Sequence, residues 1–473
     1  MLTRYLFTKL PFFFFILLLS SCQWKTNIPP GEKVDILIVG GDFVTAEKSQ
    51  PVIRDGFLAV NEGKIIAIGK REDLGQKYTS EKTIDASGKI VMPGLVNTHT
   101  HAAMTMFRGL ANDLPLQEWL EKHVWPAEAR FVSEETVYAA TLLAITEMIR
   151  SGTTTFCDMY FFEEEVALAA KKAGMRAVIG EGILDFPTPS QPTAEDALNY
   201  SATLIHKWAN DPLISVALSP HSPYTCSEDL LRKCRHFADS LNVRLMIHLA
   251  ETRKEVSDMK AARNMSPVEY LDQIGFLGPD VTAAHCVHLS EKDLSLLSTR
   301  KTGIAHNPQS NMKLASGVAP VPAMLKSGLS VGLGTDGVAS NNDLNLWEEM
   351  NTASLLQKVF LEDPTALNAE TTFLMATIGG ATVLGLEDKI GSLKPGKQAD
   401  LLIINMQHPH NHPRYDIFAQ LVYSTDAADV ETVVIEGKRV MENQRLLTLD
   451  EAEVIANFDR IAEEIRNGLN ENP

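Results

Sequence analysis

Cysteine is scarce in this chain, and the pattern of its cysteines excludes more than it offers. Five occur in 473 residues, and no two form a C-x-x-C. A zinc ribbon and a thioredoxin-like redox pair are thereby excluded, as is the P-C-x-x-C of cytidine-type zinc deaminases. Basic surface is also in short supply. Against 60 Asp and Glu stand 43 Lys and Arg, a formal net charge of −17 with no long basic run. Nucleic-acid backbones are held by basic patches, so a nucleic-acid partner is excluded. The conspicuous apolar run, residues 11–19, is too short to span a bilayer as a helix.

That run still carries a signal. Arg4 and Lys9 precede it, and Ser20, Ser21 and Cys22 follow it, the order of a secretory leader. The tail L-S-S-C resembles the lipobox of bacterial lipoproteins, in which cleavage leaves an acylated N-terminal cysteine. The expectation is a signal peptide over residues 1–21 and a lipid on Cys22 as the membrane attachment. The protein would then sit on the periplasmic side, with Gln23 in place of the aspartate that retains such proteins at the inner membrane. A cytoplasmic chain with an accidental apolar start is the alternative. Loss of residues 1–21 removes two bases and no acids, leaving −19. Cys157, Cys226, Cys234 and Cys286 then remain, most of them in or near apolar runs, where cysteine acts as a small buried hydrophobe. In an oxidising compartment a Cys226–Cys234 disulfide stays open.

After a polar linker (22–33) come short strands with tight turns over 34–92, and the same texture returns over 393–447. One β-sandwich assembled from both chain ends accounts for this, with a helix over 448–473. Between them, over 93–392, apolar runs recur at 95–101, 153–158, 175–184, 213–219, 243–250, 281–287, 302–306 and 328–335. Helical segments separate most of them. In S-E-E-T-V-Y-A-A-T-L-L-A-I-T-E-M-I-R-S-G, Ser133 is placed to N-cap, acids fill the first turn and Gly152 ends the helix. Eight β/α units predict an α/β fold, a (β/α)8 TIM-type barrel. A doubly wound sheet advertises a Gly-rich phosphate turn after its first strand. Here that place holds P-G-L-V-N-T-H-T-H instead.

Barrel chemistry sits at the C-terminal strand ends. His99 and His101 end the first run, on one face if it is a strand. His221 follows the fourth, His248 ends the fifth, His285 lies in the sixth and Asp336 ends the eighth. Any one alone reads as a core histidine or a turn aspartate. Together they suit a divalent metal site that leaves room for water. Glu251, three residues past His248, is placed to move protons if burial raises its pKa. Two similar patterns read otherwise. In H-C-V-H-L-S-E, Ser290 caps a helix and Glu291 sits at its favourable N-terminus. H-P-H-N-H-P (His408, His410, His412) carries two prolines and reads as a loop leaving a strand.

These residues carry a resemblance. P-G-L-V-N-T-H-T-H, H-L-A-E, H-C-V-H-L, H-N-P-Q-S-N-M-K-L-A-S-G and G-T-D-G resemble the amidohydrolase superfamily, in its aminohydrolase (chlorohydrolase/deaminase) branch. R-G-L-A-N-D-L-P-L-Q-E-W-L and V-W-P-A-E-A-R-F look most like 5-methylthioadenosine/S-adenosylhomocysteine deaminases. The likeness runs from about Val34 to Arg445. It implies that His99, His101, His248 and Asp336 hold one divalent ion, zinc foremost, with iron accepted by the same ligands. Glu251 would protonate the ring nitrogen beside the attacked carbon. His285 would orient or deprotonate the attacking water, with Asp336 sharing the proton traffic. Glu128 would accept from ribose hydroxyls, and His221 would contact sugar or ring. The two-metal members carry a lysine on the fourth strand. That strand here is L-I-S-V-A-L-S-P-H, so one metal is inferred.

The implied reaction is hydrolysis of an adenine nucleoside to its inosine analogue and ammonia. No arginine lies between Arg176 and Arg232 to take an amino-acid carboxylate. Met104, Phe107 and Trp125 would suit a methylthio group, so 5'-methylthioadenosine or adenosine is expected ahead of S-adenosylhomocysteine. Guanine or triazine as substrate is one alternative. A non-catalytic, lipid-anchored nucleoside or metal binder using the His408–His412 patch is another. A homo-oligomer is neither required nor excluded.

Overall fold

The computed structural model describes residues 31–471. The leader read at 1–21, Cys22 and most of the linker lie outside the described residues.

Eight parallel strands form the central barrel, in the order of the apolar runs. They are Leu95–Thr100, Thr153–Tyr160, Arg176–Ile183, Ile214–Val216 resuming at Ser219–Pro220, Leu245–Leu249, Val281–His285, Gly303–His306 and Val331–Leu333. Strands one to four pair in sequence, as do five to eight. A parallel bridge from Leu218 to Leu245 joins the two sets. Closure between the eighth and first strands runs partly through side chains. Thr98 Oγ1 donates to Leu333 O (2.9 Å), Thr100 Oγ1 donates to Asp336 O (3.0 Å), and Asp336 N donates to His99 O (3.0 Å). The fourth strand is interrupted where the sequence shows one continuous run. Leu218 there turns from the third strand to the fifth, its amide donating to Arg244 O (2.9 Å).

Buried strands on both faces explain the near-continuous apolar runs. Helices cover the outside, and their ends follow local chemistry. Ser133 accepts from Thr136 N and receives the reciprocal Thr136 contact, a capping box for helix Glu134–Arg150. Ser290 does the same for Glu291–Arg300. Among the described residues no helix is long and apolar enough to cross a membrane.

Two further sheets pack over a core that includes Ile38, Phe43, Leu58, Leu401 and Ile403. Strand Ile90–Pro93, from the N-terminal region, pairs antiparallel with Leu401–Ile404 from the C-terminal region, Ile90 opposite Ile404 and Pro93 opposite Leu401. Both ends of the chain therefore share one sheet, and Gly94 leads from it straight into the first barrel strand. Arg176 fastens sheet to barrel, giving Asp400 two hydrogen bonds (2.9 and 3.2 Å) in a buried pair. Residues 32–33, read as linker, instead pair in parallel with Tyr78–Thr79, because the backbone there finds partners at Lys77 and Thr79. Helix Glu451–Glu471 lies against Glu134–Arg150, with Arg460 bonded to Glu135 (3.1 Å). Cys157, Cys226, Cys234 and Cys286 are free and buried.

Candidate active site

Strand alternation places His99 and His101 on one side of the first strand, and the barrel brings His248 and Asp336 to them from the fifth and eighth strand ends. Ring centroids of His99 lie 4.8 Å from those of both His101 and His248. Asp336 Oδ1 is 3.1 Å from His101 Nε2 and 3.5 Å from His99 Nε2. One nitrogen from each of His99, His101 and His248 lies within 4.8 Å of the others, as do ligand atoms of His99, His285 and Asp336.

The outward nitrogens are already committed. His101 Nδ1 bonds to Met159 O, and His248 Nδ1 donates to His221 O (2.8 Å). Such partners fix the tautomer and turn Nε2 inward. His99 Nε2 is buried with no hydrogen-bond partner. Burial holds His99 down at about 4 and His248 well below the ordinary imidazole value, so both keep a free lone pair. His101 shows the pull of the cluster's carboxylate. Burial opposes its protonation, yet Asp336 overrides that and raises it to about 9. A buried site that draws a positive charge between imidazoles and a carboxylate, with an unpartnered nitrogen facing it, fits a divalent metal.

Around this cluster stand the proton-handling groups. Glu251 is buried, and burial raises its carboxyl above the usual range. Ser316 Oγ donates to its Oε1 (3.2 Å), while Oε2 lies 3.9 Å from His285 Nε2. Glu255 accepts from the amides of Ala250 (2.7 Å) and Glu251 (2.8 Å), clamping the turn after His248. His285 Nδ1 bonds to Asn311 Oδ1 (2.9 Å), which leaves Nε2 as the acceptor. Asp336 Oδ2 accepts from Ser310 (2.6 Å) and Ser340 (3.0 Å), keeping Oδ1 for the histidines. Ala250, His285 and Asp336 have φ of 51°, 70° and 58°. Left-handed backbone at non-glycine residues costs energy and concentrates at functional sites. The G-T-D-G turn shows the other side of that constraint. A Cβ on Gly334 would sit 2.4 Å from Asn307 Oδ1 and 2.9 Å from His99 N and O. Gly334→Ala should therefore displace His99 and lower metal content along with turnover. Unchanged metal stoichiometry in that variant would refute the account.

The same cavity is lined by Glu128, His221, Met104, Trp125, Tyr160 and Leu116, among others. Tyr160 Oη donates to Glu128 Oε1 (2.9 Å), and burial pushes Glu128 up to about 7 against that bond. His221 is kept neutral, at about 3, by burial and the neighbouring histidines, and its Nδ1 lies 3.0 Å from Thr225 Oγ1. Trp125 packs edge-on against Phe186 of the Pro-rich loop, centroids 5.6 Å apart. The proposed ligands His99, His101, His248 and Asp336 thus stand together with Glu128, His221, Glu251 and His285.

Phe107 does not reach the cavity. It is buried in the hydrophobic core, because the short turn Ala102–Phe107 is covered on all sides, and Trp119, Leu120 and Phe161 supply apolar wall instead. His288 turns away, its Nε2 bonding to Ser316 O (2.6 Å). Sequence reasoning missed Tyr160, Asn311, Ser310, Ser316 and Ser340. Three of them lie inside the H-N-P-Q-S-N-M-K-L-A-S-G motif, which was the available signal.

Comparison with known proteins agrees with this geometry. A model described as the amidohydrolase family matches residues 90–440. A 5-methylthioadenosine/S-adenosylhomocysteine deaminase of Syntrophobacter fumaroxidans is 49% identical over 434 residues, 92% of this chain and 99% of that protein. A 5'-deoxyadenosine deaminase of Methanosarcina acetivorans is 46% identical over 433 residues, 91% and 98% of the two chains. The crystal structure of an adenosine deaminase from Xanthomonas campestris with bound zinc is 38% identical, with a TM-score of 0.91 over 93% of this chain and 100% of the other. The chain belongs to the amidohydrolase family.

Proposed function

We propose that this protein is a zinc-dependent hydrolytic deaminase of adenine nucleosides with a small apolar 5' group, 5'-methylthioadenosine or adenosine ahead of S-adenosylhomocysteine. The observation that carries the reading is one cavity holding two buried glutamates with different neighbours. Glu251 stands beside the His/Asp cluster, and Glu128 stands beside Tyr160 and Trp125. The relatives described above support the reaction class, since their names are those of deaminases acting on adenine nucleosides. The preference against S-adenosylhomocysteine rests on the lining, which among the described residues includes no lysine or arginine to meet an amino-acid carboxylate.

His99, His101, His248 and Asp336 would hold the ion. When bound, zinc supplies Lewis acidity that makes water a usable nucleophile near neutral pH. Either His285, through Nε2, or Asp336 accepts the one proton that the attacking water gives up. Glu251, whose hold on its proton is strengthened by burial, gives that proton to the purine nitrogen next to the attacked carbon. The proton held by His285 or Asp336 then passes to the amino group, the carbon–nitrogen bond breaks and ammonia leaves. The new hydroxyl returns its proton to Glu251 as the ring carbonyl forms, so the enzyme ends as it began. His221 orients the bound nucleoside. Glu128 accepts from ribose hydroxyls, and two donors meeting it favour its charged form against the burial that raises it.

Ammonia release from the zinc-loaded protein tests this. Values of kcat/KM for 5'-methylthioadenosine and adenosine should exceed that for S-adenosylhomocysteine by about tenfold or more, the cost of an unpaired carboxylate in an apolar site. Equal values would overturn the preference, and no release from any nucleoside would overturn the substrate class. Glu128→Gln should lower kcat/KM on nucleosides by about 10- to 100-fold, since hydrogen bonds to a charged group contribute ~1.5–3 kcal/mol. The same variant should be nearly silent on any ring amine lacking ribose.

A further inference from the structure

The three-histidine loop left aside in the sequence acquires a partner in the fold. After strand Leu401–Ile404 the chain makes a short 3-10 turn, Pro409–Asn411. That turn aims His408 and His410, but not His412, at Asp429, which ends a second turn, Ala427–Asp429. His408 Nδ1 lies 2.5 Å from Asp429 Oδ1, and His410 Nε2 lies 2.8 Å from Oδ2 and 3.1 Å from Oδ1. Among the described residues, His, Cys, Asp and Glu side chains gather closely enough to hold an ion at the candidate active site and here.

We propose that His408, His410 and Asp429 form a second metal site that binds a borderline divalent ion such as zinc. Asp429 is fully buried, while His408 and His410 have side chains 39% and 42% exposed. Among the described residues no lysine or arginine pairs with Asp429; its ion-pair partners are these two histidines. A buried carboxylate is costly unless paired; here two half-exposed imidazoles pair it, and a divalent ion among the three would take over that pairing. Two nitrogens and one carboxylate oxygen suit zinc, nickel or copper and disfavour magnesium and calcium. The exposed imidazole faces leave an entry path and a position for water.

The donors are held in place beforehand. Asp426 N donates to Asp429 Oδ2 (3.1 Å), and Asn405 N donates to Asp429 O (2.8 Å). Asn411, buried next to His410 in the turn, accepts from Gln420 Nε2 (2.9 Å). None of the three donors lines the catalytic cavity, so occupancy here and turnover there are separable.

Equilibrium dialysis of the full chain against zinc, followed by elemental analysis, decides the matter. The wild type should hold two ions per chain and the double variant His408→Gln/His410→Gln one, with ammonia release equal in both. Each single substitution should also lose the second ion, which guards against misfolding of the double variant. One ion in the wild type, or two in the double variant, would overturn the site. Neither result bears on the deaminase reading, which stands or falls on turnover.

Discussion

Glu251→Gln should lower kcat for ammonia release by about 10²- to 10⁴-fold, the usual contribution of a positioned general acid, with KM and metal content close to wild type. Glutamine keeps the shape and still accepts from Ser316, whose hydroxyl lies 3.2 Å from Oε1. It has no proton to give the ring nitrogen. The clamp from Glu255 to the amides of Ala250 and Glu251 involves backbone groups alone on this side, so the turn after His248 survives the substitution. Direction of the pKa matters here. Because burial raises Glu251, the carboxyl holds its proton at a pH where an exposed glutamate has lost it. A variant that retains kcat within tenfold, about 1.4 kcal/mol, would show that another group protonates the ring.

Removing the metal should have an effect at least as large. Chelation is expected to abolish ammonia release, and zinc alone, returned at one equivalent to the catalytic cluster, should restore it. A second readout follows from burial. His99 Nε2 has no partner of its own, and Asp336 lies among imidazoles in the protein interior. An ion bound there stabilises the folded chain by roughly 4 kcal/mol at a thousandfold excess over its dissociation constant. The chelated protein should therefore unfold at a lower temperature as well as fail to turn over. Full activity in protein shown by elemental analysis to be free of metal would remove the ion from the reaction. Because the outer histidines form a separate cluster, the thermal shift is best compared in the His408→Gln/His410→Gln background.

The barrel was legible because its strands are buried on both faces. Each appears as a short apolar run between helical segments, and all eight runs contain strands. The site was legible for a related reason. Barrel geometry gathers strand ends, so histidines far apart in the sequence could be grouped before any distance was known. Supporting residues were harder. Ser310, Asn311, Ser316 and Ser340 act through single hydrogen bonds, and in sequence such residues look like ordinary caps and turns. Phe107 was misplaced because an apolar residue beside a cavity and one in the core have the same composition signal. Asp429 was invisible as a partner of His408 and His410 for want of any local pattern linking two separate turns. The break in the fourth strand depends on Leu218 pairing with a later strand, which no window of sequence contains.

The antiparallel pairing of Ile90–Pro93 with Leu401–Ile404 has a consequence for how the molecule is made. The sheet begun by Asp42–Val44 and Ile90–Pro93 is completed by strands that leave the ribosome much later, from Leu401 onward. Until then the early strands present an unpaired edge, the feature that invites association between chains. A nascent chain must also bring together segments some three hundred residues apart, which delays assembly. Synthesis thus leaves a long interval in which the half-built sheet needs shielding, and a chain stopped short of residue 401 lacks the strand that ends that interval.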